Sequence, residues 1–519
     1  MRKVENKFFI MKFIRRVIND LENSKTPFIY FILNFIFIVA LRNLIEPLST
    51  HSTISPMQVI HFSLAYITYA ATFILLLYAF TKTEVLKIAK VVLSGFIIII
   101  LPPLLDLILS RGKGWPMTYL LPGIHGNLGL RFITFNGNFS GIGITPGLRI
   151  EGALTLIGIF IYLYVKNSKI IKSLLGTFSA YVVFFFYTTV PFIIKYLLFF
   201  NKPTFSYSDY IFSNFYLLII TLEGIALVYL AKKEYLKLII ADIRSMIWRG
   251  LHYILMPILG FILAKYYYPG FSFFVGNNLF YVISLPLSIF FALLFSLSIN
   301  NMEDLGIDKI SNQDRPLAAG KISFAEYKKL LWVFLFISLF YAALINFRVL
   351  LTIIAFIGIY FLYSAPPFRL KRVPIFSKFL IALNSLILVN LGYILVAGST
   401  SQFPKIVIVI FLVGFTLTIN FIDIKDYEGD KKSGIKTLPV ILGLQKSKFV
   451  IGLIFFLAYL GTGLILKSWY MILIFLILGA LEFYLVARKA YREVPVFQVY
   501  LYSLIIVIFY LIHLIPLHT

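Results

Sequence analysis

The chain has 519 residues, of which 60% are hydrophobic and only 13% are charged, and its formal net charge is +25. In soluble domains about a quarter of all residues are charged. This composition therefore excludes an ordinary soluble protein and indicates helices that face lipid. The chain has no cysteine, which excludes disulfides, thiolate nucleophiles and cysteine-bound metals.

Apolar runs of about 17 to 25 residues predict membrane-spanning helices. Six such runs precede a charged connector at residues 232–249, and nine follow it. We therefore predict an all-α polytopic membrane bundle of about 15 helices, with an N-terminal six-helix domain at residues 1–235 and a nine-helix domain at residues 236–519. The predicted spans are residues 26–45, 57–81, 84–110, 150–166, 171–200 and 208–231, then 251–267, 276–299, 326–347, 349–364, 379–398, 404–421, 449–466, 469–487 and 496–515.

The N-terminal portion contains a long, glycine-rich loop with few charges, from Arg111 to Arg149. Loops of this length are usually functional or disordered, and this one is too apolar for a typical disordered segment. The polar residues in and beside it either line an external site or are paired for structure within an interfacial lid. These residues are Asp106, His125, Arg131, Arg149 and Glu151.

Basic residues in the second portion lie mostly on one side of the predicted membrane. Alternate loops carry 23 lysines and arginines, at residues 232–249, 309–329, 369–378, 425–448 and 488–492. The opposite loops carry four, which are Lys265, Arg348, Lys405 and Lys467. By the positive-inside rule, the richer side is cytoplasmic. We therefore predict an integral protein of the plasma membrane, and the net charge reflects topology rather than a nucleic-acid partner.

Carboxylates are concentrated in two short stretches on the predicted cytoplasmic side. Within each stretch the polar residues are three or four positions apart, so on a helix they share one face. Like charges on one face repel, and such a row typically binds a cation. Two solvated loops with ordinary surface acids remain the alternative to a site for divalent cations. The residues are Asn300, Asp304 and Asp308 in the first stretch and Asp423, Asp426 and Asp430 in the second.

Three segments of the second portion carry specific motifs. Residues 300–308 read NNMEDLGID and are followed by NQDRPLAAG, residues 363–371 read YSAPPFRLK, and residues 423–430 read DIKDYEGD and precede a TLP triplet. Together they resemble the first aspartate-rich motif, the Tyr/Lys loop and the second aspartate-rich motif of the UbiA superfamily of intramembrane prenyltransferases. The resemblance covers about residues 240–519.

The resemblance implies an enzyme that moves a prenyl group from a prenyl diphosphate to a lipophilic acceptor in the membrane, with Mg²⁺ assisting the release of pyrophosphate. It implies that Tyr363 lies near the allylic cation, although an interfacial belt residue is an equal alternative. The expected metal ligands are Asp304, Asp308, Asp423, Asp426 and Asp430. The expected contacts to the substrate are Asn300, Arg315 and either Arg369 or Lys371.

One position departs from the family pattern, because Asn301 stands where an aspartate is usual. An amide keeps a carbonyl oxygen but removes one negative charge from the metal site, which leaves the metal stoichiometry open. Two other classes of function also stay open: a transporter, since acidic rows at span ends suit cation pathways, and a weakened homologue that only binds an isoprenoid lipid. The acceptor is an aromatic ring, a quinone precursor, a polyprenylated glycerol phosphate or a porphyrin-type alcohol ester.

Overall fold

The computed structural model describes residues 2–53, 55–115, 128–134, 144–199, 209–271, 278–373, 375–432 and 434–514. The described residues form helices and connecting turns, without strands. Fifteen of their helical segments are long and apolar enough to cross a membrane. Lipid offers no hydrogen-bond partners, so a helix that satisfies its own backbone is the conformation such segments adopt. The predicted all-α bundle of about 15 spans is confirmed, and the chain is an integral membrane protein.

The chain divides into two compact units, Met1–Leu236 and Lys237–Thr519. In the first unit, the third predicted span is interrupted by a 3₁₀ turn at Phe96–Ile100. Pro102 and Pro103 follow this turn and have no N–H to donate, so the α-helical ladder cannot continue through it. The helices of this unit are α1 (Arg2–Glu22), α2 (Phe28–Thr50), α3 (Pro56–Thr81), α4 (Val85–Gly95), α5 (Leu101–Leu109), α6 (Leu128–Ile133), α7 (Pro146–Asn167), α8 (Ile170–Phe199) and α9 (Asp209–Ala231).

The second unit contains the nine remaining candidate spans. Its helices are α10 (Lys233–Tyr267), α11 (Leu279–Glu303), α12 (Leu305–Ser311), α13 (Phe324–Ile345), α14 (Phe347–Ser364), α15 (Phe376–Ala397), α16 (Lys405–Val409), α17 (Thr416–Thr418), α18 (Ile422–Lys432), α19 (Leu438–Leu442), α20 (Leu444–Ile465), α21 (Trp469–Ala487) and α22 (Glu493–His513). Between α16 and α18 the span contains a π-helical turn, Ile410–Phe415, and a 3₁₀ turn, Ile419–Phe421.

The charged connector predicted at residues 232–249 is helical. From Lys233 these residues form the N-terminal half of α10 and continue into the first span of the unit without a break. The reason is local, because the stretch contains no proline and no glycine before Gly250, so nothing in it opposes helix propagation. The extension places Asp242 and Arg249 on the same rigid helix as the span.

Helices α10 and α15 touch through their backbones at two glycines. A Cβ atom on Gly260 would collide with the carbonyl oxygen of Val389, and one on Gly392 would collide with that of Pro257. Small residues permit such close helix contacts inside membranes, where no hydrophobic effect drives helices together. The contact fixes α10 against α15, and both helices contribute side chains to the site described next.

Candidate active site

A cavity of about 190 Å³ lies within the second unit, lined by residues of α10, α11, α12, α14, α15 and α18. Nine of the ten predicted site residues line it. They are Asn300, Asp304, Asp308, Arg315, Tyr363, Lys371, Asp423, Asp426 and Asp430. The structure thus brings together residues that are up to 130 positions apart in the sequence, at the ends of different spans.

The first acidic row lies where α11 gives way to α12. The helix is broken at Asp304, which has φ −99° and ψ 12°. The backbone ladder nevertheless continues, because the Asp304 N–H donates to the Asn300 carbonyl at 2.9 Å and the Asp308 N–H donates to the Asp304 carbonyl at 2.8 Å. The three side chains therefore remain on the side of the chain that faces the cavity, as the spacing predicts.

Each acid of the first row is held by a basic side chain from a loop. The Lys371 ammonium donates to Asp304. The Arg315 guanidinium donates to Asp308 at 2.6 Å, and the Asn312 amide donates to the other oxygen of the same carboxylate at 3.0 Å. Charge-assisted bonds of this kind are the strong ones in proteins, so these contacts fix the directions of both carboxylates and of both cations.

The second acidic row lies on α18 and contains a buried ion pair. Lys378 on α15 donates to Asp423 at 2.5 Å, and the two side chains are only 5% and 10% exposed. Asp426 and Asp430 follow at the spacing of one helix face and also line the cavity. Arg249 also lines the cavity and donates to Glu493 at 3.1 Å. The wall therefore alternates carboxylates with cations.

The two cations that the sequence left as alternatives have different positions. Lys371 lines the cavity, and its ammonium also approaches the Asn300 oxygen at 3.5 Å. Burial lowers the pKa of Lys371, and the attraction of Asp304 partly offsets this effect. Arg369 is not among the lining residues, and it donates to the Asp304 carboxylate at 2.7 Å and to the Glu303 carbonyl at 3.0 Å. Lys371 thus lines the cavity, whereas Arg369 contacts Asp304 without lining the cavity.

Asn301, the position that departs from the family pattern, does not line the cavity. Its side chain is buried and belongs to a polar chain of contacts behind the first acidic row. The Asn301 oxygen accepts from Arg315 at 2.9 Å, and its amide donates to the Tyr327 hydroxyl at 2.9 Å. The Tyr327 hydroxyl in turn donates to Asp242 at 2.9 Å. A negative charge is therefore present two hydrogen bonds away from Asn301, on Asp242 of α10.

Several cavity residues were not predicted from the sequence. Arg249, His252, Tyr360 and Lys378 line the cavity, and Asp242 and Tyr327 support Arg315 from behind. The His252 ring is buried between the hydroxyls of Ser385 and Tyr500, each at 2.8 Å. One feature of the sequence could have indicated these residues, namely an ionisable side chain within or beside an apolar run. Such a side chain is energetically costly in a membrane, so its presence indicates a specific partner.

The donor set of the cavity fits a hard divalent cation, because carboxylate oxygens are the ligands that Mg²⁺ prefers. Within the described residues, no group of three histidine, aspartate or glutamate side chains is close enough to hold an ion by itself. A cation bound by one or two of these carboxylates would complete its coordination with water or with oxygens of a bound substrate. Mg²⁺ sites commonly take this form, with one or two carboxylates and several phosphate oxygens.

The fold and the cavity define an integral membrane protein with acidic and basic side chains gathered at the ends of its spans. Residues 253–507 match the model of the UbiA prenyltransferase family. The resemblance to this family that the three motifs predicted is confirmed over these residues.

The chain is also similar to individual members of this family. A probable homogentisate phytyltransferase 2 of Oryza sativa subsp. japonica is 32% identical over 184 residues, 34% of this chain and 46% of the relative. A digeranylgeranylglyceryl phosphate synthase of Pyrococcus horikoshii is 31% identical over 183 residues, 35% of this chain and 64% of the relative. The chain thus spans less than two thirds of the length of these curated relatives. Among solved structures, a UbiA homolog from Archaeoglobus fulgidus bound to DMAPP and Mg²⁺ aligns with a TM-score of 0.41 and 21% identity, covering 53% of this chain and 98% of that chain.

Proposed function

We propose that the second unit transfers a prenyl group from a prenyl diphosphate to a lipophilic acceptor. One observation carries the proposal: two acidic rows from separate span ends, together with basic side chains from intervening loops, line a single cavity inside an apolar bundle. A diphosphate attached to a long apolar chain has the same two parts, a highly charged head and a tail that is soluble only in lipid. The match of residues 253–507 to the model of a prenyltransferase family supports this assignment.

The proposed reaction breaks the bond between C1 of the prenyl group and the diphosphate oxygen, and the bonding electron pair leaves with pyrophosphate. A nucleophilic atom of the acceptor then bonds to C1 and loses a proton. Stabilising the negative charge that develops on the leaving group is the main catalytic task. Arg315 and Lys371 are already held in place by Asp308 and Asp304, so they need no reorganisation to receive the diphosphate oxygens.

We assign Asp304, Asp308, Asp423, Asp426 and Asp430 to Mg²⁺ binding. When bound, the metal neutralises diphosphate charge as a Lewis acid. Asn300 is assigned to the substrate, because Ser364 donates to its oxygen at 3.1 Å and leaves its amide for a phosphate oxygen.

The apolar part of the same cavity suits the prenyl carbons. Tyr360, Tyr363, Phe415 and Phe497 line it beside the polar groups. Aromatic faces stabilise a cation by roughly 1–2 kcal/mol each when water is excluded. A dry environment also prevents water from capturing an allylic cation before the acceptor does. We therefore assign Tyr363 to the allylic carbon rather than to an interfacial belt.

The direct test is to incubate the purified protein with Mg²⁺, a labelled prenyl diphosphate and a membrane lipid extract, and to identify labelled products by mass spectrometry. A prenylated lipid is expected, and chelation of Mg²⁺ should prevent its formation. Asp304→Ala and Asp430→Ala should each reduce the rate at least ~10²-fold, as for other electrostatic contacts in a transition state. Glu303→Ala is the matched control, since Glu303 is the exposed acid next to Asp304. Equal donor binding by the wild type and both aspartate variants, with or without Mg²⁺, would instead indicate a lipid-binding protein or a transporter.

We also propose that the cavity opens toward the cytoplasm from the plasma membrane, on the basis of the distribution of basic residues. Because the chain has no cysteine, single cysteines report topology directly. Gln313→Cys and Thr400→Cys are suitable, since both positions are exposed in loops at opposite ends of the spans. An impermeant thiol reagent applied outside whole cells should label the cysteine at 400 and spare the one at 313. The reverse pattern would overturn the orientation.

Finally, we propose that catalysis belongs to the nine-helix domain at residues 236–519 alone. All of the proposed site residues lie after residue 299, and the other residues that line the cavity lie after residue 245. A chain that begins at Tyr235 should insert into membranes and retain Mg²⁺-dependent binding of a prenyl diphosphate. Stable insertion without binding would mean that residues 1–235 contribute to the site.

A further inference from the structure

The N-terminal unit contains a cavity of its own, with a volume of about 310 Å³. Its wall is formed mainly by aromatic and aliphatic side chains of α3, α4, the 3₁₀ turn Phe96–Ile100 and α7, with contributions from α8 and α9. Along α7 the lining continues from Glu151 to Tyr162, which corresponds to a length of roughly 16 Å at 1.5 Å per residue. We call this space the N-terminal cavity.

The charged groups of the N-terminal cavity lie at one end only. They are Arg42 and Glu46 on α2, Arg131 on α6, and Glu151 in the second turn of α7. Apart from Thr155 and Thr188, the rest of the lining is apolar or aromatic. A cavity that is polar at one end and apolar along its length matches an amphipathic molecule lying along the helices.

Two polar atoms at the charged end lack hydrogen-bond partners among the described residues. Arg42 is only 5% exposed, and although its Nη1 donates to Glu46, its Nε has no partner. The buried Oε2 of Glu151 has none either. Buried polar atoms in proteins are almost always hydrogen-bonded, so these two atoms indicate a ligand. A group that accepts a hydrogen bond from Arg42 Nε and donates one to Glu151 Oε2 would satisfy both atoms.

A hydroxyl group does both, because it carries one donor and two acceptor positions. An ionised phosphate or carboxylate head would only accept, so it would leave the Glu151 oxygen without a donor. A pure hydrocarbon would leave both atoms unpaired in an apolar surrounding, which costs about 1–3 kcal/mol for each group. For the same hydrocarbon chain, the charged end of the cavity therefore favours a hydroxyl head group over an anionic head group or none.

We propose that the N-terminal cavity binds a single-chain lipid with a hydroxyl head group, with the hydroxyl between Arg42 and Glu151 and the chain along α3 and α7. The volume is at the lower end of the range for small-molecule sites, which suits one chain and excludes a lipid with two full acyl chains. This inference does not depend on the proposed function of the second unit, since the lining residues all belong to the first.

Two glycines allow the cavity to be filled without disturbing its wall. Gly95 and Gly158 both line it, and a Cβ atom built on either meets no atom within 4 Å. A leucine at either position would extend into open space that the lipid chain should occupy. Gly224 on α9 is a matched control, because a Cβ there also meets no atom within 4 Å but the residue does not line the cavity.

The test uses the full-length protein in amphipol, so that no free detergent competes, and tritiated dodecanol as the probe. Saturable binding of dodecanol is expected for the wild type and for Gly224→Leu. Gly95→Leu and Gly158→Leu should each weaken binding at least tenfold. Glu151→Gln should weaken it about tenfold, because a neutral amide accepts less strongly than a carboxylate. Unlabelled dodecanol should displace the probe at least tenfold better than dodecyl phosphate or dodecane.

Three results would overturn the proposal. Equal binding by Gly158→Leu and Gly224→Leu would show that dodecanol binds elsewhere. Equal competition by dodecyl phosphate or by dodecane would show that the head group is not recognised. Loss of dodecanol binding in Asp304→Ala would place the probe in the second unit, and this last result would leave the proposed prenyl transfer intact.

Discussion

The two cavities of this chain both bring basic side chains together with carboxylates, but they use them differently. In the second unit the ion pairs join separate elements, such as Lys378 on α15 with Asp423 on α18. In the N-terminal cavity, Arg42 and Glu46 are four residues apart on one helix. A pair within one helix forms wherever that helix forms, whereas a pair between elements forms only when the bundle is assembled.

The contrast shows how a membrane bundle can hold charges for two purposes. Ion pairs between elements position several charges at once, as a site for a highly charged substrate requires. The pair of Arg42 and Glu46 leaves the Nε of Arg42 without a partner among the described residues, so this donor can bind a small polar head. Disrupting the ion pairs of the second unit should therefore affect both the stability of that unit and the reaction proposed for it.

The largest effect is expected at the buried pair of Lys378 and Asp423. Lys378→Met leaves a carboxylate buried without its partner, which typically costs about 3–5 kcal/mol of folding stability. The melting temperature of the purified protein should fall sharply. The double variant Lys378→Met/Asp423→Leu should recover most of the loss, because it removes both charges.

The control for this experiment is an exposed pair of the same kind. Arg16 and Asp20 lie on α1 with side chains 82% and 72% exposed, and pairs in water contribute little. Arg16→Met should therefore leave the melting temperature unchanged. A similar small effect from Lys378→Met would mean that the pair between α15 and α18 does not hold the bundle.

The second prediction concerns the pH dependence that Asp242 confers. Burial raises the pKa of Asp242 to about 6, although the Tyr327 hydroxyl and Arg315 favour the carboxylate. In the unfolded chain the group titrates near its ordinary value of 3.8. Between these values the folded protein binds more protons, so stability falls as the pH rises from about 4 to 6 and the loss is complete above 6. A shift of roughly two pH units corresponds to ~3 kcal/mol at most.

Asp242→Asn isolates this contribution, because the amide oxygen can still accept from Tyr327 but does not titrate. Melting temperatures at pH 4.5, 5.5 and 7 should show a decline in the wild type that is smaller in Asp242→Asn. Parallel curves for the two proteins would mean that Asp242 keeps an ordinary pKa in the folded state.

These contacts also show what the sequence could and could not predict. Spacing alone grouped Asp304 with Asp308, because residues four apart share a helix face and apolar runs fix where each helix ends. The partner of Asp423 was not predictable, since Lys378 is 45 residues away on another span. The link from Asp242 through Tyr327 spans 85 residues for the same reason. Sequence periodicity predicts which residues share a face of one helix. Contacts between helices depend on how the helices pack, which periodicity does not predict.

The third prediction concerns Asn301, where restoring the usual aspartate should not improve the protein. The Tyr327 hydroxyl has one proton, which it donates to Asp242, and Asn301 donates to the same oxygen. Asn301→Asp replaces that donor with a carboxylate, so two acids compete for one proton. We expect a loss of about 1–2 kcal/mol in stability and no gain in the rate of prenyl transfer.

The network also offers a sharper test, in which the two side chains exchange roles. In the double variant Asn301→Asp/Asp242→Asn, the amide at 242 can donate to Tyr327 and the hydroxyl can donate to the aspartate. This variant should regain most of the stability that Asn301→Asp loses. If Asn301→Asp alone turns over faster than the wild type, Asn301 weakens the metal site and the network has no compensating role.

The smallest effect is expected from substitution of Lys371 or Arg369. The comparison tests whether a cation that lines the cavity contributes more to the reaction than one that only contacts Asp304. Both Lys371 and Arg369 contact Asp304, but only Lys371 lines the cavity. Lys371→Met should reduce kcat/KM for the prenyl diphosphate about tenfold, because a cation that contacts the diphosphate is lost. Arg369→Met should reduce it only two- to threefold, since Asp304 keeps Lys371 as a partner. Arg372→Met, at an exposed position of the 3₁₀ turn Leu370–Arg372 that also contains Lys371, should have no effect. A larger loss in Arg369→Met than in Lys371→Met would exchange the two roles, with Arg369 as the diphosphate contact and Lys371 as the support of Asp304.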